Sequence, residues 1–302
     1  MESVYKYIED MIHEIANFID YLEQEDSDIF KANLELKQGL YAFVRKENDE
    51  LYVPEEGVLQ VDKDTERDRL YGQFLERASN SEMINAMKSF NSGPKIYIAI
   101  GSPFGIALSG KAYKQKPVNR LYEAAEAYFK AAQKFVDKNN KQHLQWLTDM
   151  KSFVNNKMLS FINSQVADIN KLSDKFMFYF FLEEPAPDDY KEIQNRFLAQ
   201  KLFNKDKYNI KDEQGTIYGI SDDASGFNDS KAFLKHQTGP LDINYRVSGE
   251  TAKKLYQFFR LQQKNKILPN PMPVFVDEHE LTEKTIKFYE RNQKLGHKEI
   301  RE

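Results

Sequence analysis

Hydrophobic residues recur at three- and four-residue intervals in several segments of the chain, a spacing typical of amphipathic helices. The first segment shows this spacing in Ile8, Ile12, Ile15, Ile19 and Leu22. The same spacing predicts further helices at 121–135, 144–154, 190–198 and about 249–263, and a charged closing helix beyond residue 280. The periodicity therefore predicts several amphipathic helices distributed along the chain.

Short runs rich in β-branched and aromatic residues predict strands between these helices. The runs GLYAFV at 39–44, ELYV at 50–53 and VLQV at 58–61 are separated by turn residues and predict a small antiparallel sheet. The run FMFYFFL at 176–182 has no polar alternation, which is typical of a strand covered on both faces. The run KIYIAI at 95–100 predicts another buried strand, and the glycine- and proline-rich loop GSPFGIALSGK follows it.

The last third of the chain returns to short predicted strands, in TIYGI, LDINYRV and VFV. The predicted fold class is therefore α+β, an irregular mixed fold with small antiparallel sheets and several amphipathic helices. Changes in composition suggest an acidic helix plus a small β region at 1–93, a basic loop and helical region at 94–200, and a strand-turn region at 201–302. A single domain is the alternative, because 302 residues with 41% hydrophobic content can bury one large core.

Cysteine is absent from the sequence, which excludes disulfide frameworks, thiolate zinc sites and cysteine nucleophiles. The first residues are acidic and amphipathic, so they lack the basic start and the apolar run of a secretory signal. No apolar run approaches the roughly 20 residues that are needed to cross a bilayer. We therefore expect a cytoplasmic protein without a membrane partner.

Acidic and basic residues are segregated along the chain, although the formal net charge of the whole chain is only -4. Residues 1–70 contain 19 acids and 8 bases, a net charge of -11. Residues 108–157 and 225–266 carry net charges of +6 and +5. Such asymmetry predicts basic surfaces for a polyanion or an acidic partner, with solvated helix faces as the structural alternative.

Polar and small residues between Tyr218 and Phe275 stand in an order that periodicity does not require. The stretch reads YGISDDASGFNDSKAFLKHQTGPLDINYRVS and, after a predicted helix, KILPNPMPVFVDEHEL. Four ordered elements stand out: Gly219, Phe227 and Asn228; then Lys231, Phe233, Leu234, Lys235 and His236; then Asn244; then Pro269, Asn270, Pro271 and Pro273. In this order they resemble the large-subunit family of type I-B CRISPR interference (Cascade) complexes.

Two earlier segments are similar to the same family at lower density. GLYAFVRKENDELYV looks like the opening hairpin of the family, and SPFGIALSGKAYK resembles its Pro-Phe-rich loop with the basic turn that follows. Members of the family are usually considerably longer and end in a helical bundle. We therefore expect an amino-terminal half or a short variant whose bundle is a separate small subunit. Ala232 stands where the family pattern has proline.

The resemblance implies a non-catalytic subunit that recognises the motif flanking the target, while guide RNA reads the target itself by base pairing. The partners it implies are the other type I-B Cascade subunits, guide RNA and target double-stranded DNA, with a helicase-nuclease as a further candidate. Such a role needs donors that reach base edges and a basic surface that holds phosphates. It needs no cofactor, no metal and no catalytic residues.

The leading predicted nucleic-acid site is a basic turn that contains Asn228, Lys231, Lys235, His236 and Gln237. Its lysines and histidine can contact phosphates, and its amide groups can read a base edge. The structural alternative is a turn in which the lysines lie in water and the histidine packs against the core.

A second predicted surface combines four bases with two tyrosines, and it comprises Lys111, Lys114, Lys116 and Arg120 with Tyr113 and Tyr122. Aromatic rings among bases can stack nucleotides while the charges hold phosphates. The structural alternative is that the tyrosines pack against the core.

A nucleotide-binding protein is the main rival hypothesis from a different class. Gly105, Gly110 and Lys111 have the spacing of a phosphate-binding loop and follow a plausible strand. However, Ala112 replaces the hydroxyl residue that such a loop presents to magnesium. Pro117 would also interrupt the helix whose amino terminus should bind phosphate.

Nuclease and scaffold functions are two further hypotheses. Adjacent acids occur at Asp188-Asp189, Asp222-Asp223 and Asp277-Glu278. Adjacent acids in turns do not establish the converging carboxylates of a two-metal nuclease, and the histidines lack zinc-ligand spacing, so we predict no catalysis and no metal. In a scaffold, the acidic front third or the rigid Pro-Asn-Pro-Met-Pro segment would contact protein subunits instead of DNA.

Overall fold

A computed structural model of the chain describes residues 2–24, 35–81, 102–168, 171–203, 206–221, 223 and 246–263. The chain divides into two compact units, one formed by residues 34–197 and the other by residues 1–33 and 198–302. The predicted domain boundary at residue 93 lies outside the described residues, and the predicted three-part division stays a prediction.

The described elements are, in chain order, α1 (Glu2–Gln24), β1 (Gly39–Glu47), β2 (Glu50–Tyr52), β3 (Val58–Val61), α2 (Arg69–Ser79), β4 (Gly105–Ser109), α3 (Gly110–Gln115), α4 (Val118–Ala132), α5 (Lys141–Asn156), α6 (Met158–Gln165), β5 (Met177–Leu182), α7 (Pro187–Lys201), β6 (Ile210–Lys211), β7 (Ile217–Gly219), β8 (Val247–Ser248) and α8 (Gly249–Gln263). They confirm the predicted α+β class. The predicted strands at 95–100 and 274–276 and the predicted closing helix lie outside the described residues. Within the described part of the chain, no helix is both long enough and apolar enough to cross a membrane.

The 34–197 unit is built on a five-stranded mixed sheet. β5 lies between β1 and β4, and it pairs in parallel with β1 and antiparallel with β4. β2 and β3 both pair antiparallel with β1, as predicted for residues 39–61. The parallel β1–β5 pair, which joins residues more than 130 positions apart, makes this sheet mixed rather than purely antiparallel.

The hairpin between β1 and β2 turns through Asn48 and Asp49, which both have positive φ angles, 48° and 63°. A two-residue loop with this backbone matches the right-handed twist of the strands that flank it. Asn and Asp tolerate positive φ better than other non-glycine residues, so the sequence Asn-Asp supports this turn.

Helices cover both faces of the mixed sheet. On one face Phe74 of α2 stacks on Phe43, with ring centroids 4.1 Å apart, and contacts Phe181. On the opposite face Phe180 contacts Phe153 of α5. Phe180 and Phe181 are fully buried, which confirms the prediction that the non-alternating strand is covered on both faces.

In the other unit, α1 packs against α8. The apolar cluster between them consists of Phe18, Ile19, Leu22, Phe258 and Leu261. Lys254 Nζ donates to Asp20 Oδ2 at 2.5 Å. This unit also contains the antiparallel sheet β6–β7–β8, and α8 confirms the helix predicted at about 249–263.

Candidate nucleic-acid interface

The leading predicted site lies outside the described residues, and this applies to Asn228, Lys231, Lys235, His236 and Gln237. The strands on either side of this segment are described. β7 and β8 pair antiparallel, with Tyr218 opposite Ser248 and Gly219 opposite Val247. The chain therefore leaves the small sheet after Gly219 and returns to the neighbouring strand. Arg246 Nε fixes the returning end by donating to the Tyr208 carbonyl at 3.1 Å.

The second predicted surface lies on α3 and the start of α4, and most of its described cations are occupied by protein groups. Lys111 Nζ and Lys114 Nζ approach the carboxylate of Asp174 at 3.9 and 3.6 Å. Lys114 also donates to the Leu172 carbonyl, and its side chain is only 15% exposed. Arg120 pairs with Glu123 at 2.9 Å. Two carboxylates thus lie close to these three cations and offset part of their charge, which weakens the surface as a phosphate site.

Lys116 ends α3, where its backbone N–H donates to the Ala112 carbonyl at 2.9 Å. Extended backbone at Lys116 then leads into Pro117, the residue before α4. The predicted surface is therefore broken between two helices rather than presented by one continuous face.

The tyrosines of this surface do not form an open stacking platform. The ring of Tyr113 packs edge-on against Phe178 of the sheet, with centroids 5.9 Å apart, and its hydroxyl donates to Asn163 Oδ1 at 2.5 Å. Burial, with a smaller contribution from Tyr122, raises the pKa of Tyr113, so this hydroxyl stays protonated at neutral pH. Tyr113 thus follows the structural alternative of packing against the core, and Tyr122 is half-buried.

Other bases of the 108–157 segment divide into two groups by their partners. Lys151 pairs with Glu126 at 2.9 Å, and Lys157 pairs with Glu50 at 3.0 Å. Four exposed lysines have no acidic partner among the described residues, and we call them the lysine turn: Lys130, Lys134, Lys138 and Lys141. Their charge contributes to the net +6 of residues 108–157, but they are not among the predicted site residues. Their signal is four bases against one acid in the twelve residues 130–141.

The segment with phosphate-loop spacing does not form a phosphate-binding loop. Only residues 102–104 turn, and Gly105–Ser109 forms β4, which pairs with β5. A phosphate loop needs consecutive backbone N–H groups free to face the ligand, and an extended, buried strand does not present them. Small residues suit this strand because a Cβ on Gly105 would lie 2.8 Å from the Phe181 ring. The glycines therefore serve close packing in the sheet.

A pair between a buried histidine and a partly exposed carboxylate joins α5 to α7. His143 Nε2 lies 3.2 Å from Asp189 Oδ1, and the His143 side chain is 3% exposed between Phe104 and Trp146. Asp189 Oδ2 also accepts the N–H of Ala186. A general base must come within hydrogen-bond reach of a substrate proton, and an enclosed side chain does not. We therefore assign the pair to packing of the helices.

Carboxylates in the described part of the chain do not gather into a metal site. No group of three histidine, aspartate or glutamate residues that could hold a metal ion occurs among the described residues. Asp188 and Asp189 lie in the first turn of α7, where acids are favourable near the helix amino terminus. Asp222 and the pair at 277–278 lie outside the described residues.

Comparison of the chain with protein-family models, curated proteins and solved structures finds no match. Function is therefore inferred from the order of the residues and from the arrangement of charge described above.

Proposed function

We propose that this chain belongs to the non-catalytic large subunit of a type I-B CRISPR surveillance complex, where it recognises the motif flanking the target and binds DNA in antiviral defence. The observation that carries the proposal is the set of four ordered elements between Tyr218 and Phe275. A single short motif arises easily by chance, whereas four elements in a fixed order rarely do.

Two described features are consistent with this order of elements. The pattern calls for a helix between the element at Asn244 and the Pro-Asn-Pro element at Pro269, and α8 occupies 249–263. The weaker resemblance of GLYAFVRKENDELYV expects an opening hairpin, and β1 and β2 form one across Asn48 and Asp49. These features support the proposal because they fall where the resemblance expects them.

The proposed role divides recognition into two tasks. Donors at base edges in the major groove distinguish the flanking sequence, and we assign this task to the amides of Asn228 and Gln237. Phosphate contacts fix the position of the duplex without reading it, and we assign these to Lys231, Lys235 and His236. Base pairing with the guide then reads the target, so the chain needs no catalytic group of its own.

The other type I-B subunits, guide RNA and target duplex are the proposed partners in the cytoplasm, with a helicase-nuclease recruited to the assembled complex. The test is co-purification of the full chain with those subunits and guide RNA, followed by binding to duplexes with the correct or altered flanking sequence. We expect binding to depend on the flank. Lys231→Ala/Lys235→Ala should weaken duplex binding by about 10- to 60-fold at 0.1 M salt, if each lysine contacts one phosphate.

A matched control removes two lysines of the same unit elsewhere. Lys211→Ala/Lys253→Ala changes the net charge by the same amount and should leave flank-dependent binding within about twofold of the unmodified chain. Binding that ignores the flank in the assembled complex would refute the proposal.

A scaffold function predicts a different response to charge reversal. In Lys231→Glu/Lys235→Glu, loss of duplex binding with intact assembly identifies a DNA-contacting turn. Loss of assembly identifies a protein interface and favours the scaffold, because like-charge contacts at an interface oppose association.

A further inference from the structure

The segment that joins α4 to α5 carries the four exposed lysines of the lysine turn, Lys130, Lys134, Lys138 and Lys141. Its one acid is Asp137, which does not neutralise them. Asp137 Oδ1 accepts the N–H of Asn139 at 2.9 Å, and Asp137 Oδ2 lies 3.8 Å from Arg196. The acid is therefore already engaged by a backbone donor and by another cation.

Four other described bases of the same unit have a close carboxylate partner. Arg45, Lys46, Lys151 and Lys157 each lie within 3.1 Å of a carboxylate. The four lysines carry like charges, which repel one another and do not stabilise the folded turn. A bound polyanion would supply the missing counter-charge.

The backbone that presents these lysines is anchored to the core. Phe135 and Val136 are buried, and the Phe135 ring packs edge-on against Phe197 with centroids 5.4 Å apart. Asn140 caps α5, since its Oδ1 accepts the N–H of His143 at 3.0 Å. A ligand that binds the turn therefore orders lysine side chains and does not have to order the backbone, which lowers the entropic cost of binding.

The chemistry between the lysines distinguishes a nucleic acid from a protein partner. The exposed residues among them are polar, including Gln133 and Asn139, and the aromatic Phe135 points into the core. Protein interfaces are enriched in aromatic residues and depleted in lysine at their centres. A phosphodiester backbone needs cations alone, and a surface without an exposed ring has nothing on which to stack a base.

We propose that the lysine turn binds the phosphodiester backbone of a nucleic acid without reading its sequence. This inference rests on the proposed function only for the source of the nucleic acid, which is target duplex or guide RNA. The inference assigns the main contact between the 34–197 unit and the phosphodiester backbone to the lysine turn. The Lys111 to Arg120 surface is less suited to this contact, because its paired cations are less free to replace the counterions of a nucleic acid.

The test measures binding of the full chain to a labelled duplex DNA and to a single-stranded RNA of equal length between about 50 and 200 mM salt. Each phosphate contact contributes about 0.9 to the slope of log affinity against log salt for duplex DNA, and about 0.7 for a single strand. Lys134→Ala/Lys138→Ala should thus lower the duplex slope by about 1.8, so the unmodified chain loses about 12-fold more affinity than the variant over that range. A slope that falls by about 1.8 for the duplex with little change for the single strand identifies the duplex as the source, and a slope that falls by about 1.4 for the single strand with little change for the duplex identifies the RNA.

Two further double variants remove the same charge from the same unit. Lys151→Ala/Lys157→Ala removes lysines that face carboxylates and should leave the slope unchanged within about 0.3. Lys111→Ala/Arg120→Ala tests the other surface directly. Equal thermal unfolding of the lysine-turn variant and the unmodified chain checks that the fold is intact.

The outcomes separate this inference from the proposed function. A reduced slope in the lysine-turn variant alone supports the inference, even if the assembled complex ignores the flank. An unchanged slope overturns it, as does a lack of binding by the unmodified chain at low salt, while flank-dependent binding in the complex can still hold. Loss of co-purification with a protein subunit without any change in slope also overturns it and identifies a protein contact.

Discussion

Lys46 and Asp149 form an ion pair that ties the central strand β1 to α5. Lys46 Nζ lies 3.1 and 3.3 Å from the two carboxylate oxygens of Asp149, which also accepts a hydrogen bond from Gln145. The side chains of Lys46 and Asp149 are 26% and 10% exposed, so solvent screens the pair only in part. Removing Lys46 would leave a largely buried carboxylate with one remaining donor.

The size of the interaction can be estimated from these distances. Coulomb energies at 3.1 Å are about 5 kcal/mol at an effective dielectric constant of 20 and about 1.3 kcal/mol in water. Because Lys46 reaches solvent, we expect a coupling energy of about 2 kcal/mol between the two side chains. The single change Lys46→Met should cost about 2 to 3 kcal/mol, since the retained Gln145 contact limits the penalty.

The assay is a double-mutant cycle of Lys46→Met and Asp149→Asn in urea. Trp146 is the only tryptophan of the chain and lies in α5, three residues before Asp149. It is 8% exposed, so its fluorescence reports unfolding of the 34–197 unit without a contribution from the other unit. The coupling energy follows from the four unfolding free energies.

The pH dependence of this coupling provides a second check. The hydrogen bond to Asp149 raises the pKa of Lys46 above its ordinary value of 10.5. A raised pKa in the folded state means that the stabilisation is fully present below about pH 10.5 and is lost as pH rises through the folded value. A coupling energy below about 0.5 kcal/mol at neutral pH, or one unchanged in strong alkali, would refute this account.

Two further substitutions test the packing of the same unit, with the same fluorescence assay. Tyr190→Phe should lower the free energy of unfolding by about 1 to 3 kcal/mol, because the buried hydroxyl contacts the carbonyls of Phe104 and Leu182 at 2.9 Å. The control Tyr52→Phe removes a hydroxyl that makes an exposed contact to Glu47, and it should change the free energy of unfolding little. Gly39→Ala should destabilise by at least about 1 to 3 kcal/mol because its Cβ would collide with the Met177 carbonyl of β5. Gly72→Ala in α2 meets nothing within 4 Å and should instead stabilise by up to about 1 kcal/mol; equal effects of the two alanines would contradict the packing described.

The local pattern of hydrophobic residues was sufficient to predict the helices and strands that are regular and strongly apolar. The helix predicted at about 249–263 and the buried strand at 176–182 both occur, because periodicity and its absence report directly on which faces are covered. The parallel pairing of Gly39 with Met177 depends on chain segments far apart in sequence, and local periodicity does not encode it.

The glycines led to a wrong prediction at β4, where the sequence predicted a loop and the structure has a strand. Gly105 and Gly110 suggested a loop, whereas Gly105 lies close to the Phe181 ring and the Gly110 N–H donates to the Phe176 carbonyl at 2.8 Å. A glycine needed for close approach has the same appearance in a sequence as one needed for a turn. Neighbouring aromatic side chains decide between them, and these become known only with the strand order.

Charge has the same limit as a predictor, because the fold decides which acid pairs with each base. Lys111 and Lys114 pair with Asp174, about sixty positions away, whereas the four lysines of the lysine turn have no acidic partner among the described residues. Counting bases along the chain gave the correct net charge of the segment but selected bases of which three lie close to carboxylates. Pairing in space distinguishes cations that hold the protein together from cations available to a ligand.

The two proposed contacts predict different effects on specificity. A backbone contact contributes equally to complexes with correct and altered flanks, because phosphates are the same in both. Lys134→Ala/Lys138→Ala should therefore lower both affinities by one common factor and leave their ratio unchanged. A residue that reads a base edge, as proposed for Asn228, contributes to only one of the complexes, so its loss must reduce the ratio. The affinity ratio, measured in the assembled complex, thus separates residues that hold the nucleic acid from residues that read it.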